Sequence, residues 1–231
     1  MSVTTTEGLL MIPRLLLGGM LSLSLFVTGC SALRVSTSEQ NSKPVEVGLR
    51  DSAQATPEPT EKAIPDGMEE VAVTLGEECP ISVEFAIDRR WGDGVGYSGY
   101  WLYSNGDARL ISVNCYAWGG TQPQDVTDEA MDVTFSESGS RVVSEKVGET
   151  PGGVFWTVQG VLGPSEVRSI ASTESVLYGA VAGIRDDGRL YKVSVEMVAK
   201  SDDAEAAAVY AQMLPTVRFA GNVLTPPPGL N

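Results

Sequence analysis

The 231-residue chain contains no histidine. That absence removes the Ser-His-Asp and Cys-His systems that activate a nucleophile, and histidine-ligated zinc sites with them. Neither GxSxG nor SxxK occurs, so the serine-elbow and Ser-Lys contexts are missing as well. Carboxylates are plentiful, and two of them at working distance can cleave a glycoside, but no spacing singles out a pair. Clusters such as Glu77-Glu78 and Asp202-Asp203 read as a solvated turn and a helix cap. EF-hand spacing is absent. "GVGYSG", from Gly94 to Gly99, matches GxGxxG in form only. A pyrophosphate needs a helix N-terminus after that motif, and "YWLYSNGD" follows instead, which is strand and hairpin chemistry. No cofactor or metal is expected.

The chemistry that stands above background is aromatic. Seven of the eleven Tyr and Trp residues lie between Trp91 and Trp118: Trp91, Tyr97, Tyr100, Trp101, Tyr103, Tyr116 and Trp118. Aromatic faces stack on sugars and on other flat or apolar ligands, although aromatics also favour strands for packing alone. Trp91, Tyr97, Trp101, Tyr103 and Trp118 are the candidate ligand-binding residues. In "YWLY" Trp101 and Tyr103 share one face, and Tyr100 and Leu102 the other. Both faces are core only if the sheet is covered on both sides.

Those residues must be positioned by strands. "EEVAVTL" and "CPISVEFAI" read as two, the second alternating Cys79, Ile81, Val83, Phe85 and Ile87 against polar or small residues. Asn105-Gly106 signals a type I′ hairpin turn between "YWLY" and a return strand from about Ala108 to Trp118. There Ile111, Val113 and Cys115 share one face. Cys79 and Cys115 thus both point to the core, and a bridge between them would close a loop of about 37 residues, worth roughly 3–4 kcal/mol; two free buried thiols are the alternative. "VTDEAMDVTFSES" predicts a short helix with Thr127 as N-cap. "RVVSEKV" and "VFWTVQGVL" are strands, and "SVLYGAVAGIR" and "RLYKVSVEMVA" form a hairpin about Asp186-Asp187-Gly188. A last helix has Asp202 and Glu205 in a capping-box arrangement, Ala206, Tyr210, Met213, Leu214 and Val217 on one stripe, and Pro215 to end or kink it. The order predicts an α+β fold, a mostly antiparallel sheet with a short middle helix and a C-terminal amphipathic helix packed on it.

At the N-terminus "LLLGGMLSLSLFV" is apolar and too short to span a bilayer. The "VTGC" that ends at Cys30 resembles the lipobox of bacterial lipoproteins. That resemblance implies a signal peptide over 1–29, cleavage before Cys30, a diacylglyceryl group on its thiol, and often an acyl chain such as palmitate on its new amino group. Translation from Met11 would give a more ordinary leader. Residues 30–65, rich in Ser, Thr, Pro and charge, bury too little apolar area to order themselves and read as a tether. Residues 66–221 form one domain, and 222–231 a Pro-rich, extended tail. Net charge is −14, which argues against nucleic acid and against lying flat on anionic lipid.

The early strand ending near Trp91, a helix between hairpins, and a final amphipathic helix after a long hairpin resemble the PsbP-like fold of LpqN-type actinobacterial lipoproteins. That resemblance implies a binding or accessory role. The chain is expected to be a non-catalytic lipoprotein at the outer side of the cell membrane, anchored through Cys30, whose domain meets an envelope component or protein. The alternatives are a carrier of a lipid or other apolar ligand, and an envelope hydrolase with paired carboxylates.

Overall fold

The computed structural model describes residues 64–106 and 108–230. The leader, Cys30 and nearly all of the tether lie outside them. Among the described residues no helix is long and apolar enough to cross a membrane.

Two antiparallel sheets and two helices make an α+β domain. The larger sheet has seven strands. It joins a three-strand meander, β3 (Val95–Tyr97), β4 (Tyr100–Ser104) and β5 (Arg109–Ala117), to a four-strand meander, β6 (Arg141–Thr150), β7 (Gly153–Leu162), β8 (Ser175–Asp186) and β9 (Arg189–Lys200). The seam is the antiparallel β5–β9 pair, so the order is β3-β4-β5-β9-β8-β7-β6. The smaller sheet contains β1 (Met68–Val73), β2 (Val83–Asp88), β10 (Arg218–Phe219) and β11 (Asn222–Val223). Helix α1 (Pro123–Thr134) joins the two meanders, and α2 (Ala204–Met213) follows β9.

Strand parity divides the large sheet into two faces. One face presents Ile111, Val113, Val193, Val195, Met197 and Ala180, and packs against Phe85 and Phe219 of the small sheet and Tyr210 and Met213 of α2. The other presents Trp156, Val158, Leu177 and Val181 to Val126 and Ala130 of α1. A sheet buried on both faces explains why β8 is apolar at almost every position rather than alternating. Tyr210 is fully buried, its hydroxyl donates to the Val198 carbonyl at 3.2 Å, and burial pushes its pKa upward. It therefore stays a neutral donor.

Cys79 and Cys115 are joined by a disulfide, Cα atoms 5.9 Å apart, which ties the segment before β2 to β5. β2 begins only at Val83. Cys79 itself lies in a turn, its N–H donating to the Gly76 carbonyl at 3.3 Å.

Other local expectations differ from what the chain does. Helix α1 starts at Pro123, four residues before Thr127, which is buried inside it and bonds back to the Gln124 carbonyl. A proline at the first turn is preorganised for a helix start. Asn105-Gly106 does not form a two-residue turn. Ser104 faces Leu110, Asn105 N–H donates to the Arg109 carbonyl, and Gly106 is left-handed while Asn105 is not. The I′ geometry sits at the other hairpin, where Asp187 and Gly188 both have positive φ between paired Asp186 and Arg189. The C-terminal segment is packed rather than loose. Leu224 is buried, Thr157 Oγ1 donates to the Thr225 carbonyl at 2.8 Å, and Ser144 Oγ donates to that of Pro228 at 3.0 Å.

The N-cap of α2 is Asp203, not Asp202. Its side chain accepts from Ala206 N–H at 3.0 Å and from Arg109 Nε at 2.6 Å. The Arg109 hydrogen bond outweighs the opposing desolvation and holds the Asp203 carboxyl below the usual carboxylate range. A depressed folded-state pKa means stability that is present above the unfolded value, near 4, and lost as pH falls through the folded one. Asp203→Ala should cost about 1–2 kcal/mol in urea melts at neutral pH. Asp203→Asn, which still caps, should cost less. The gap between wild type and Asp203→Ala should close as pH drops below about 4.

Candidate ligand-binding face

The seven aromatics from Trp91 to Trp118 do not form one surface. Trp91 is buried against Tyr210, ring centroids 6.1 Å apart. Tyr103 is buried edge-on to Phe85, and Trp101 lies beside it at 6.4 Å, partly buried in the same core. Trp101 and Tyr103 pair with Val113 and Ile111, so their face is the disulfide's face and not a ligand surface. The expectation that Trp91, Trp101 and Tyr103 help to bind a ligand is corrected accordingly. Parity allowed either face of "YWLY" to turn inward, and packing against the small sheet selects the Trp101–Tyr103 side.

The glycines of "GVGYSG" find their reason here. Gly94 and Gly96 press the backbone around β3 onto the Trp101 indole, where any Cβ would collide with the ring. The run forms an edge strand over a core tryptophan.

The other aromatics stand on the opposite face. Helix α1 packs over β7 and β8, and the β3–β4–β5 side of that face is left open among the described residues. Tyr97 is 75 % exposed and Tyr116 46 %. Tyr100 is half-buried, with its ring 5.3 Å from that of Tyr97. Burial, with Tyr97 and Glu196 nearby, holds the Tyr100 hydroxyl above its ordinary pKa and therefore neutral. Register places polar side chains between these rings. Tyr97 faces Tyr100, Tyr100 faces Asn114, and Asn114 faces Ser194. In the next row Leu102 faces Ser112, and Ser112 faces Glu196. The side chains of Ser112, Asn114 and Ser194 make no hydrogen bond among the described residues. Glu196 accepts from Arg168 Nε at 3.1 Å.

Beyond Tyr116 the strip reaches Trp118, with ring centroids 6.2 Å apart. Trp118 follows β5, and its N–H donates to the Leu190 carbonyl at 2.7 Å. Lys192 Nζ stands 5.3 Å from its ring centroid, a cation–π arrangement, and lies 3.8 Å from Glu129 of α1. Trp118 also walls an open cleft of about 340 Å³ with Thr121 and with Arg185 and Arg189 of the β8–β9 hairpin.

Tyr97 and Trp118 are thus the sequence candidates that the structure leaves on one accessible face, joined there by Tyr100 and Tyr116. Arg185, Arg189, Ser112, Asn114 and Lys192 escape sequence reading, because the β4–β5, β5–β9 and β8–β9 pairings together bring them onto the face of the tyrosines and Trp118. A face of flat rings with unpartnered hydroxyl and amide groups between them can hold a polar ligand by stacking and hydrogen bonding together.

The described residues are those of an α+β protein with an open, tyrosine-lined sheet face. No family model matches the chain, and no curated protein matches it. Among solved structures, the crystal structure of LpqN, involved in cell envelope biogenesis of Mycobacterium tuberculosis, is similar with 13% identity and a TM-score of 0.45, over 66% of this chain and 91% of the other. A likeness that weak defines neither ligand nor partner.

Proposed function

We propose that the chain is a non-catalytic binding module of the cell envelope, held at the outer side of the membrane by a lipid on Cys30, and that the open face of Tyr97, Tyr100, Asn114, Tyr116 and Trp118 meets an envelope component. The observation that carries this reading is the free hydrogen-bonding capacity of Ser112 and Asn114 between exposed tyrosines on a rigid sheet. Exposed aromatic rings gathered on one sheet face offer flat contact area for a partner. The "VTGC" sequence supports the anchor, and the Cys79–Cys115 disulfide suits an oxidising compartment. The absence of histidine supports a role in binding rather than in acyl transfer. An apolar-ligand carrier is less well supported, since the open face mixes hydroxyls, an amide and charges with its rings.

The Tyr97→Ala/Tyr116→Ala double variant tests the reading. Stability should change by about 1 kcal/mol or less, because both side chains are exposed. With Cys30→Ser in both proteins, so that no lipid holds either of them to the membrane, retention by a washed envelope fraction should fall about tenfold or more in the double variant, the loss of roughly 1.4 kcal/mol of binding. Undiminished retention by a well-folded double variant would contradict it.

A further inference from the structure

The β8–β9 hairpin carries two arginines that differ from the other described arginines. Arg89, Arg90, Arg109, Arg141, Arg168 and Arg218 each stand within 4.0 Å of a carboxylate. Arg185 and Arg189 form no ion pair and no side-chain hydrogen bond among the described residues, and both line the cleft walled by Trp118. In a chain of net charge −14 with 30 acidic side chains, two unpaired arginines converging on one cleft are not a by-product of composition. No acidic residue is among those that line the cleft.

We infer that this cleft binds an acidic saccharide: a sugar ring on the Trp118 indole, with its phosphate or carboxylate group held by Arg185 and Arg189. The inference rests on the binding role proposed above and names the ligand class of one end of that face. Guanidinium groups are planar forks that match the oxygens of a carboxylate or phosphate in pairs. An indole supplies the flat, apolar area on which the C–H side of a sugar ring packs. The indole is fixed by partial burial against the core beneath α1, and its remaining surface walls the cleft. Gly120 lies so close that a Cβ there would come within 2.8 Å of Trp118 Nε1, and Lys192 stands over the ring. The Thr121 hydroxyl, on the same wall, makes no hydrogen bond among the described residues. The cleft, at about 340 Å³, is the size of small-ligand sites, roughly 300–1,000 Å³. The chain's overall negative charge slows the approach of an anion, but at physiological salt it is screened beyond about 8 Å, whereas the arginines act in contact. Binding is therefore salt-sensitive. A longer acidic glycan seated here has Tyr116 and Asn114 next along its path.

The test is an NMR titration of the full chain in detergent, with Trp118 indole and Arg185 and Arg189 side-chain Nε resonances followed against glucose 6-phosphate, glucuronate, glucose and inorganic phosphate. One or both acidic sugars should shift all three signals saturably and show which oxyanion is preferred. Glucose and inorganic phosphate should each bind at least about tenfold more weakly than the preferred probe. Arg185→Gln/Arg189→Gln, on an exposed hairpin, should fold normally and lose at least about tenfold in affinity. Flat titrations with both acidic sugars overturn the inference, as does equal binding of glucose or of inorganic phosphate, or an unchanged double variant. Retention by the envelope fraction is measured alongside. Retention with flat titrations overturns the saccharide assignment alone, and lost retention in the Tyr97→Ala/Tyr116→Ala variant with normal titrations leaves both readings standing.

Discussion

Tyr103→Ala should destabilise the domain by about 3–5 kcal/mol, while Tyr97→Ala, on the neighbouring strand, should change stability by about 0.5 kcal/mol or less. The two tyrosines are alike in sequence context, each in a short aromatic strand. They differ in what lies behind them. Tyr103 is buried against Phe85 and beside Trp101, on the face closed by the small sheet. Removing it opens a cavity that the disulfide-tied strands around it cannot collapse to fill. Tyr97 is three-quarters exposed, and its one ring neighbour, Tyr100, has other support from the sheet. Urea melts of the two variants separate the inward and outward faces of the aromatic segment without any ligand. Comparable losses would mean that the parity described for β3 and β4 is wrong.

Loss of the disulfide should be nearly as costly. Cys79→Ala/Cys115→Ala should lower stability by about 3–4 kcal/mol, because the 36-residue separation of the bridged cysteines sets the loop-closure entropy removed from the unfolded chain. Both sulfurs are buried, so the double variant also loses a little packing. Adding reductant to the wild type should shift its urea midpoint toward that of the variant. A midpoint indifferent to both changes would contradict a structural bridge.

Much of this fold is legible from local pattern. The shared face of Ile111, Val113 and Cys115 follows from period-two alternation, whereas Cys79 lies in a turn before β2 and still meets Cys115 in the disulfide. The Asp186–Gly188 turn and the stripe of Ala206, Tyr210 and Met213 are likewise local. Local pattern fails where a tertiary partner decides. "YWLY" is aromatic on both faces, and only the small sheet, closed by strands more than a hundred residues apart, determines which pair is core. Asn105-Gly106 carries the turn signal, yet Asn105 N–H pairs with the Arg109 carbonyl across a wider loop, while the Arg109 guanidinium bonds to Asp203, remote in sequence. The candidate site is legible only in part for the same reason. Tyr97 and Trp118 are visible as aromatics, but that Arg185 and Arg189 form no ion pair among the described residues, although Asp186 and Asp187 share their turn, is a property of three-dimensional placement.

The most direct measurement of the central claim is hydroxyl-radical footprinting of the full chain with and without a washed envelope fraction. Tyr97 and Tyr116, the exposed tyrosines of the open face, should lose most of their labelling when the fraction is present, and Trp118 should follow them. Val142 and Val143, exposed on β6 at the far edge of the same sheet, should label as before. Protection confined to β6, or no protection of Tyr97 and Tyr116 in a protein that the fraction retains, would show that the partner binds elsewhere and that the open face is not the site.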